Sequence, residues 1–217
     1  MHYFIFPEKD TTIYQMSGSK NTGLDEILEI RKDLNASGKN PKVSRALIQF
    51  DLSYISASMV RGTISNPKFY LNLYDADPKN LSYSQSLFAY AVSQSWVVGE
   101  GYSADSPLTI EGCSWRFRDG DTQRTLWTGS ISASGGTWFT DVYASQSLNY
   151  QTRDLRMDVT PIVNKWLGST RPNEGFILKR SGSVGNLDIN TDEGSNDRLG
   201  NFSFFSRQTN TVYPPKL

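Results

Sequence analysis

The stretch that decides the fold is DVTPIVNKWLGSTRPNEGFILK, residues Asp158–Lys179. Its first half predicts a short helix over about residues 159–167, because an N-cap and an early proline precede apolar residues at helical spacing. Gly168 provides a stop for this helix, and Arg171-Pro172-Asn173 predicts a turn. The run Gly175–Lys179 (GFILK) then predicts a strand, so the stretch reads as a helix, a turn and a strand.

The rest of the chain is dominated by short alternating runs bounded by Gly, Asn, Asp, Ser and Pro. In Arg45–Asp51, for example, Ala46, Ile48 and Phe50 share one face. Further strands are predicted at Pro67–Tyr74, Leu87–Trp96, Asn201–Arg207, Ile13, Ile27–Ile30 and Leu155–Met157. The sequence therefore predicts an all-β fold, an antiparallel jelly-roll-like β-sandwich with one short helix, forming a single domain over residues 1–217.

The composition argues against several classes of function. The 22 basic and 22 acidic residues cancel, which argues against binding a nucleic acid through its phosphates. No apolar run is long enough to cross a bilayer, so membrane insertion is not expected. The first residues lack the regions of a secretory signal, and the single cysteine, Cys113, excludes an intrachain disulfide. Both features favour folding in a reducing cytoplasm.

The segment GCSWRFRDGDTQRTLW, Gly112–Trp127, is the part of the chain that most resembles catalytic machinery. The lone histidine, His2, does not complete a Ser-His-Asp or Cys-His arrangement, and together with Cys113 it does not supply the usual zinc ligands. We therefore expect neither enzyme activity nor a cofactor. A two-carboxylate glycosidase pair stays open as an alternative, because such a pair leaves no trace in one sequence. The segment is expected to cover one edge of the sandwich, with Trp115 and Trp127 docked into the core.

Two acidic segments are candidates for calcium binding. Asp119 and Asp121 form an Asp-x-Asp pair beside a glycine, and Asp192–Asp197 (DEGSND) is rich in carboxylates. Solvated turns and loops of this composition are more common than calcium sites, so no metal site is predicted.

Three aromatic residues are the candidate ligand-binding residues. Trp138, Phe139 and Tyr143 follow the Gly135–Gly136 turn, and together they would form an aromatic platform that stacks on a sugar. Packing in the core or at the edge of the sandwich is the alternative interpretation.

Several motifs follow one another in the order of a known family. They are Asn21-Thr22-Gly23 between two strands, Leu47–Ser53 (LIQFDLS), Lys68–Tyr74, Trp96–Gly99, Ser114–Trp115, Trp127, Gly135–Gly136, Asp158–Lys179, Phe204–Arg207 and Pro214–Leu217. In this order the chain resembles the DNRLRE-type domain, a jelly-roll β-sandwich of secreted and cell-surface proteins that is similar to a family of carbohydrate-binding modules. The resemblance covers nearly the whole chain. We expect structural roles for Asp51, Trp96, Trp115, Trp127, Trp166 and Arg207.

Two features depart from the family pattern. Family members usually belong to exported proteins, whereas this sequence shows no export signal. The last strand of the family normally runs several residues beyond the final Pro-x-Leu, where this sequence stops. A natural chain that continues past Leu217 is therefore left open.

These observations favour two functions. The first is a non-enzymatic structural component of a bacteriophage particle, in the tail, baseplate, neck or fibre, made in the host cytoplasm without a signal peptide and then located in the virion. Its expected partners are other virion proteins, further copies of itself and a host surface glycan. The second is a carbohydrate-binding or adhesion module of a bacterial surface protein.

Overall fold

The computed structural model describes residues 2–38, 40–77, 84–120, 124–127, 135–149, 151, 153–182 and 190–217. The strands in these ranges are β1 (Pro7–Tyr14), β2 (Ile27–Leu34), β3 (Pro41–Phe50), β4 (Tyr70–Leu73), β5 (Gln85–Val92), β6 (Phe117–Asp119), β7 (Thr125–Leu126), β8 (Trp138–Leu148), β9 (Leu155–Asp158), β10 (Phe176–Lys179) and β11 (Gly200–Phe205). Two α-helices are present there, α1 (Ser53–Val60) and α2 (Thr160–Leu167), and one short 3-10 helix, Gln15–Ser17. Strands thus account for most of the regular structure.

Five antiparallel strands form the first layer of the fold, here called layer A, in the order β1-β3-β10-β5-β8. Leu47 of β3 lies opposite Thr11 of β1 on one side and Ile177 of β10 on the other. Ile177 lies opposite Tyr90 of β5, which in turn pairs with Tyr143 of β8. Strand β8 is therefore the last strand of layer A on this side.

Strands β2, β11, β4 and β9 form the second layer, called layer B. Strand β2 pairs with β11 and also with the first residues of β3, so β3 connects the two layers. Strand β11 reaches the end of β4 through a bridge between Phe204 and Asp75. Leu71 of β4 lies opposite Met157 of β9. Layer B is thus antiparallel throughout.

The main hydrophobic core fills the space between the layers. Ile48 and Ala89 enter it from layer A, and Leu28 and Leu71 enter it from layer B, all of them at most 1% exposed. Alternate residues of each strand supply this core, and burying a large aliphatic or aromatic side chain contributes roughly 1.5–3 kcal/mol. The arrangement confirms the predicted all-β antiparallel sandwich.

Helix α2 confirms the helix that the sequence predicts at about residues 159–167. Pro161 lies in its first turn and Gly168 follows its last residue. Trp166 projects from it into the main core, where its ring centroid is 4.6 Å from that of Phe176. Among the described residues, no helix is both long and apolar enough to span a membrane.

Helix α1 is an addition to the sequence prediction, which includes one helix. The carboxylate of Asp51 accepts hydrogen bonds from the backbone N–H of Ser53 at 2.8 Å and from its hydroxyl at 2.8 Å. This turn directs the chain out of β3, and Ile55 and Met59, four residues apart, then pack against the main core. The helix is short, and the sequence shows only one turn of apolar spacing.

A second hydrophobic cluster lies on the outer face of layer A. Residues 96–120 and 124–127, called the cover segment, place Cys113, Trp115 and Trp127 against Leu47 and Ile177. This segment contains the β6–β7 hairpin, which the sequence does not predict. Cys113 is fully buried, and this burial raises the pKa of its thiol above the ordinary value. The cover segment is therefore packed on the sheet.

Strand β8 is the longest strand of the described chain, and the sequence analysis does not predict it. Its sequence, WFTDVYASQSL, carries polar residues at positions that alternation would make apolar. A register irregularity against β5 explains this, since Val92 pairs with Trp138 and Tyr90 pairs with Tyr143. Four residues of β8 (139–142) thus lie opposite one residue of β5, Ala91, which breaks the period of two.

Candidate functional site

Four aromatic rings lie in contact on the outer face of layer A, on strands β5 and β8. They are Phe88, Tyr90, Trp138 and Tyr143, here called the aromatic strip. The ring centroids of Tyr90 and Tyr143 are 5.6 Å apart, those of Phe88 and Tyr143 are 5.9 Å apart, and those of Tyr90 and Trp138 are 6.1 Å apart. Tyr143 is 55% exposed and the other three rings are partly exposed. The strip is therefore a surface feature.

Strand geometry places these rings on one side. Leu87 and Ala89 of β5 point into the main core. Phe88 and Tyr90, which alternate with them along the strand, therefore point outward. Tyr143 pairs directly with Tyr90, and the register irregularity brings Trp138 beside the same ring. The extra residues of β8 therefore place two of its aromatic side chains against one tyrosine.

The structure separates Phe139 from the other two candidate residues. Trp138 packs against the second cluster on the outer face of layer A, whereas Phe139 packs against the main core. The guanidinium of Arg171 lies over the Phe139 ring, 4.3 Å from its centroid. Consecutive strand residues face opposite ways, so the three predicted residues do not share one platform. Trp138 and Tyr143 belong to the strip, and Phe139 does not.

Buried cations lie beneath the Trp138 end of the strip. The ammonium of Lys179 is 5.2 Å from the Trp138 ring centroid, and the guanidinium of Arg45 is 5.0 Å from it. Cations at such distances are attracted to the electron-rich ring face. Burial is the main cause that lowers the pKa of Lys179 to about 8, against the opposing effect of Glu193. These contacts fix the indole from below.

Glu193 is the counter-ion of both cations. Its carboxylate accepts hydrogen bonds from Nε of Arg45 at 3.1 Å and from Nη2 at 2.5 Å, and it lies 3.6 Å from Nζ of Lys179. All three side chains are at most 2% exposed. The sequence analysis treats Asp192–Asp197 as a solvated loop, and for Glu193 this is wrong. The loop carries the buried counter-ion of two cations of the sheet.

Polar groups accompany the exposed part of the strip. The hydroxyls of Ser86 and Ser147 are 3.0 Å apart at the surface, and the exposed Ser145 lies opposite Phe88. Partial burial is the main cause that raises the pKa of Tyr90, with the neighbouring Tyr143 adding to it, so its hydroxyl stays protonated at neutral pH. The strip thus offers flat apolar faces together with hydroxyl donors and acceptors.

The remaining tryptophans of the sequence analysis are structural. The indole N–H of Trp127 donates to the carbonyl of Ser114 at 2.9 Å, and that of Trp96 donates to the carbonyl of Glu174 at 2.9 Å. Trp115 is 3% exposed in the second cluster. These side chains attach the cover segment to the sandwich and leave no free face for a ligand.

Arg207 also has a structural position. Its backbone N–H donates to Oδ2 of Asp10 at 2.7 Å, and its guanidinium donates to the carbonyl of Glu8. Together these bonds connect the segment after β11 to β1.

Asn21 has a structural role that the sequence does not reveal, since Asn21-Thr22-Gly23 stands out there only as a motif between two strands. Its amide donates to the carbonyls of Val98 at 2.7 Å and Cys113 at 2.8 Å. Its side-chain oxygen accepts from the backbone N–H of Gly23 at 3.1 Å and Gly101 at 2.9 Å. A buried asparagine with all these partners fixes the cover segment from inside. The clustered glycines around residues 99–112 are the signal that points to such a close approach.

One of the two acidic segments considered for calcium binding lies partly outside the described residues. Asp121 lies outside the described residues, so its pairing with Asp119 has no structural account. In the described ranges, no three side chains of His, Cys, Asp or Glu are close enough to hold a metal ion.

No protein-family model matches the chain, and no curated protein matches it. The resemblance to the DNRLRE-type domain therefore rests on the order of the motifs.

Proposed function

We propose that the chain is a non-enzymatic structural module of a bacteriophage particle, in the tail, baseplate, neck or fibre, and that it contacts a carbohydrate through the aromatic strip. The observation that carries this proposal is the row of four touching rings on an open face of layer A. Sugar rings present flat C–H faces, which pack on aromatic faces, while hydroxyls at the ring edges bond to polar groups nearby. The strip offers both kinds of contact.

Its place on the sandwich supports a binding role. Strands hold Tyr90 and Tyr143 in register, and the buried pair of Arg45 and Glu193 supports Trp138 from below. A rigid arrangement of this kind loses little conformational entropy when it binds. The motif order that resembles a domain of surface-displayed proteins supports a position on the outside of a particle.

A carbohydrate-binding or adhesion module of a bacterial surface protein is the second candidate, and the same strip favours it. The two candidates differ in where the protein is found. Mass spectrometry of purified particles from the producing culture would detect the chain if it is a virion component. Its recovery only from the cell-surface fraction would support the second candidate.

The carbohydrate contact is tested by affinity electrophoresis in gels that contain bacterial surface polysaccharides. We expect at least one polysaccharide to retard the wild-type protein, and Tyr143→Ala to weaken the interaction about fivefold, since one aromatic contact contributes about 1 kcal/mol. The matched control is Tyr102→Ala, which removes a tyrosine that is 48% exposed and lies outside the strip. Equal retardation of wild type and Tyr143→Ala, or no retardation by any polysaccharide, contradicts the proposal.

A further inference from the structure

The outer face of layer B lies on the other side of the sandwich from the aromatic strip. Its positive and negative charges are separated. Leu71 and Met157 point into the core, so Tyr70 and Arg156, beside them in β4 and β9, point outward. By the same alternation Phe205 of β11 points outward. This face, called the layer B face, has a basic end, an aromatic centre and an acidic end.

The basic end is a cavity of about 500 Å³ beside the N-terminal segment. His2, Lys68 and Arg156 line it, together with rings that include Phe4 and Tyr70, and its lining contains no Asp or Glu. The Arg156 guanidinium lies 4.2 Å from the Tyr70 ring centroid. Among the described residues, no carboxylate comes within 4 Å of the charged nitrogen of Lys68 or Arg156. Hydrogen bonding from Thr160 and the nearby charge of Lys68 lower the pKa of Asp158, so the charge of Lys68 is partly compensated. Arg156 stays available to an external anion.

The acidic end is a second recess, of about 430 Å³. The carboxylates that line it belong to Asp25, Glu26, Glu29 and Asp77. Burial is the main cause that raises the pKa of Asp25, and the nearby Glu29 adds to it, against hydrogen bonding from Ser103 and the charge of Lys20. Glu29 is paired with Arg31 at 3.4 Å, so part of the charge is compensated. Among the described residues, no Lys or Arg nitrogen lies within 4 Å of the carboxylates of Asp25 or Glu26, so these two keep negative charge at this end.

A continuous series of ring contacts joins the two ends. Lys216 lies 5.8 Å from the Phe4 ring centroid and 5.1 Å from that of Tyr74. Tyr74 is 5.3 Å from Tyr213, which is 6.2 Å from Phe205.

Phe205 reaches the acidic end directly. It pairs in register with Ile27, which lines the acidic recess. In the centre of the face Tyr213 is 49% exposed and Val212 is 76% exposed. Exposed aromatic and apolar side chains between opposite charges are typical of a protein interface.

We propose that the layer B face binds a second copy of this chain, in a two-fold arrangement that places the acidic end of each protomer on the basic end of the other. A two-fold axis that crosses the line between the two ends produces two contacts between an acidic and a basic end. It also places the aromatic centres of the two protomers against each other. An interface between identical surfaces must be self-complementary in this way. The proposal goes beyond the carbohydrate contact, because it uses the face on the other side of the sandwich.

Light scattering after size exclusion, with the full chain, tests this interface. The wild-type protein is expected to be a dimer, and Lys68→Glu with Arg156→Glu is expected to weaken it at least tenfold. Glu26→Lys with Asp77→Lys is expected to weaken it to a similar extent. The first variant then has acidic residues at both ends, and the second has lysines at both ends, beside the remaining Asp25 and Glu29. An equimolar mixture of the two variants restores both complementary contacts, so the mixture is expected to dimerise again.

A matched control reverses two charges elsewhere, Lys165→Glu on α2 with Arg116→Glu on the cover segment, and is expected to stay dimeric. Circular dichroism and thermal unfolding verify that each variant is folded before its mass is measured. A monomeric wild type at high concentration, dimeric reversal variants, or a mixture that stays monomeric overturns the proposal. None of these outcomes depends on retardation by a polysaccharide, so this proposal and the carbohydrate contact fail separately.

Discussion

Arg45 of β3 and Glu193, which are 148 positions apart in the chain, form a two-point ion pair that is sealed from solvent. The pair crosses from the sheet to the loop before β11. A third charge, on Lys179, shares the same carboxylate. Two cations thus depend on one anion in a region where an unpaired charge is costly.

Replacing Glu193 by Gln should therefore destabilise the protein strongly. Two buried cations would lose their counter-ion, and breaking such a pair costs about 3–5 kcal/mol. Urea denaturation followed by tryptophan fluorescence measures the free energy of unfolding. Glu100→Gln, at an exposed position, is the control and should change stability by less than about 0.5 kcal/mol. Equal stability of the two variants would show that the ion pair does not support the fold.

Asp10 should make the stability depend on pH in the direction opposite to a typical carboxylate. Burial is the main cause that raises its pKa from 3.8 to about 7, against the hydrogen bond from Arg207. Between these two values the folded state keeps a proton that the unfolded state has released. The stabilisation is therefore complete below about pH 4 and is lost as the pH rises through 7.

This effect is measured as the difference in unfolding free energy between wild type and Asp10→Asn at pH 4 and at pH 7. The shift corresponds to at most about 4 kcal/mol, and the wild type should lose this amount relative to the variant as the pH rises. Asparagine keeps an acceptor for the Arg207 N–H. A constant difference across the range would mean that Asp10 is ionised in the folded state.

Asn21→Ala should loosen the cover segment. The change removes two donors and one acceptor and leaves the buried carbonyl of Cys113 and the partly buried carbonyl of Val98 without these partners, at about 1–3 kcal/mol for a buried group. We expect the free energy of unfolding to fall by about 3 kcal/mol. Asn164→Ala, at an exposed position of α2, is the matched control and should lie near wild type. If both variants unfold alike, the Asn21 bonds are not what holds the segment.

The sequence predicts the parts of the fold in which local pattern and packing agree. Helix α2 has a proline, an apolar stripe and a terminal glycine, and β3 and β5 alternate between the main core and the outer face of layer A, so one period describes each of them. Strand β8 differs because its extra residues against β5 break the period of two. Helix α1 depends on the turn at Asp51, which a strand pattern does not reveal.

The candidate site was predictable only in part. Trp138 and Tyr143 stand out as aromatic residues after a glycine turn, but the side of the strand that each occupies depends on register, and register separates Phe139 from them. Glu193 lies in an acidic loop that resembles solvated loops in composition. Its burial depends on Arg45 and Lys179, which are distant in the chain and have no local signature.

Cys113 is an internal reporter of the opening of the cover segment. Its thiol is fully buried where the cover segment packs on the sheet, and its raised pKa keeps it in the unreactive protonated form. A thiol reagent can therefore react only in molecules whose cover segment has lifted from the sheet. Because the chain contains a single cysteine, the labelling rate would count these openings directly, without any introduced probe.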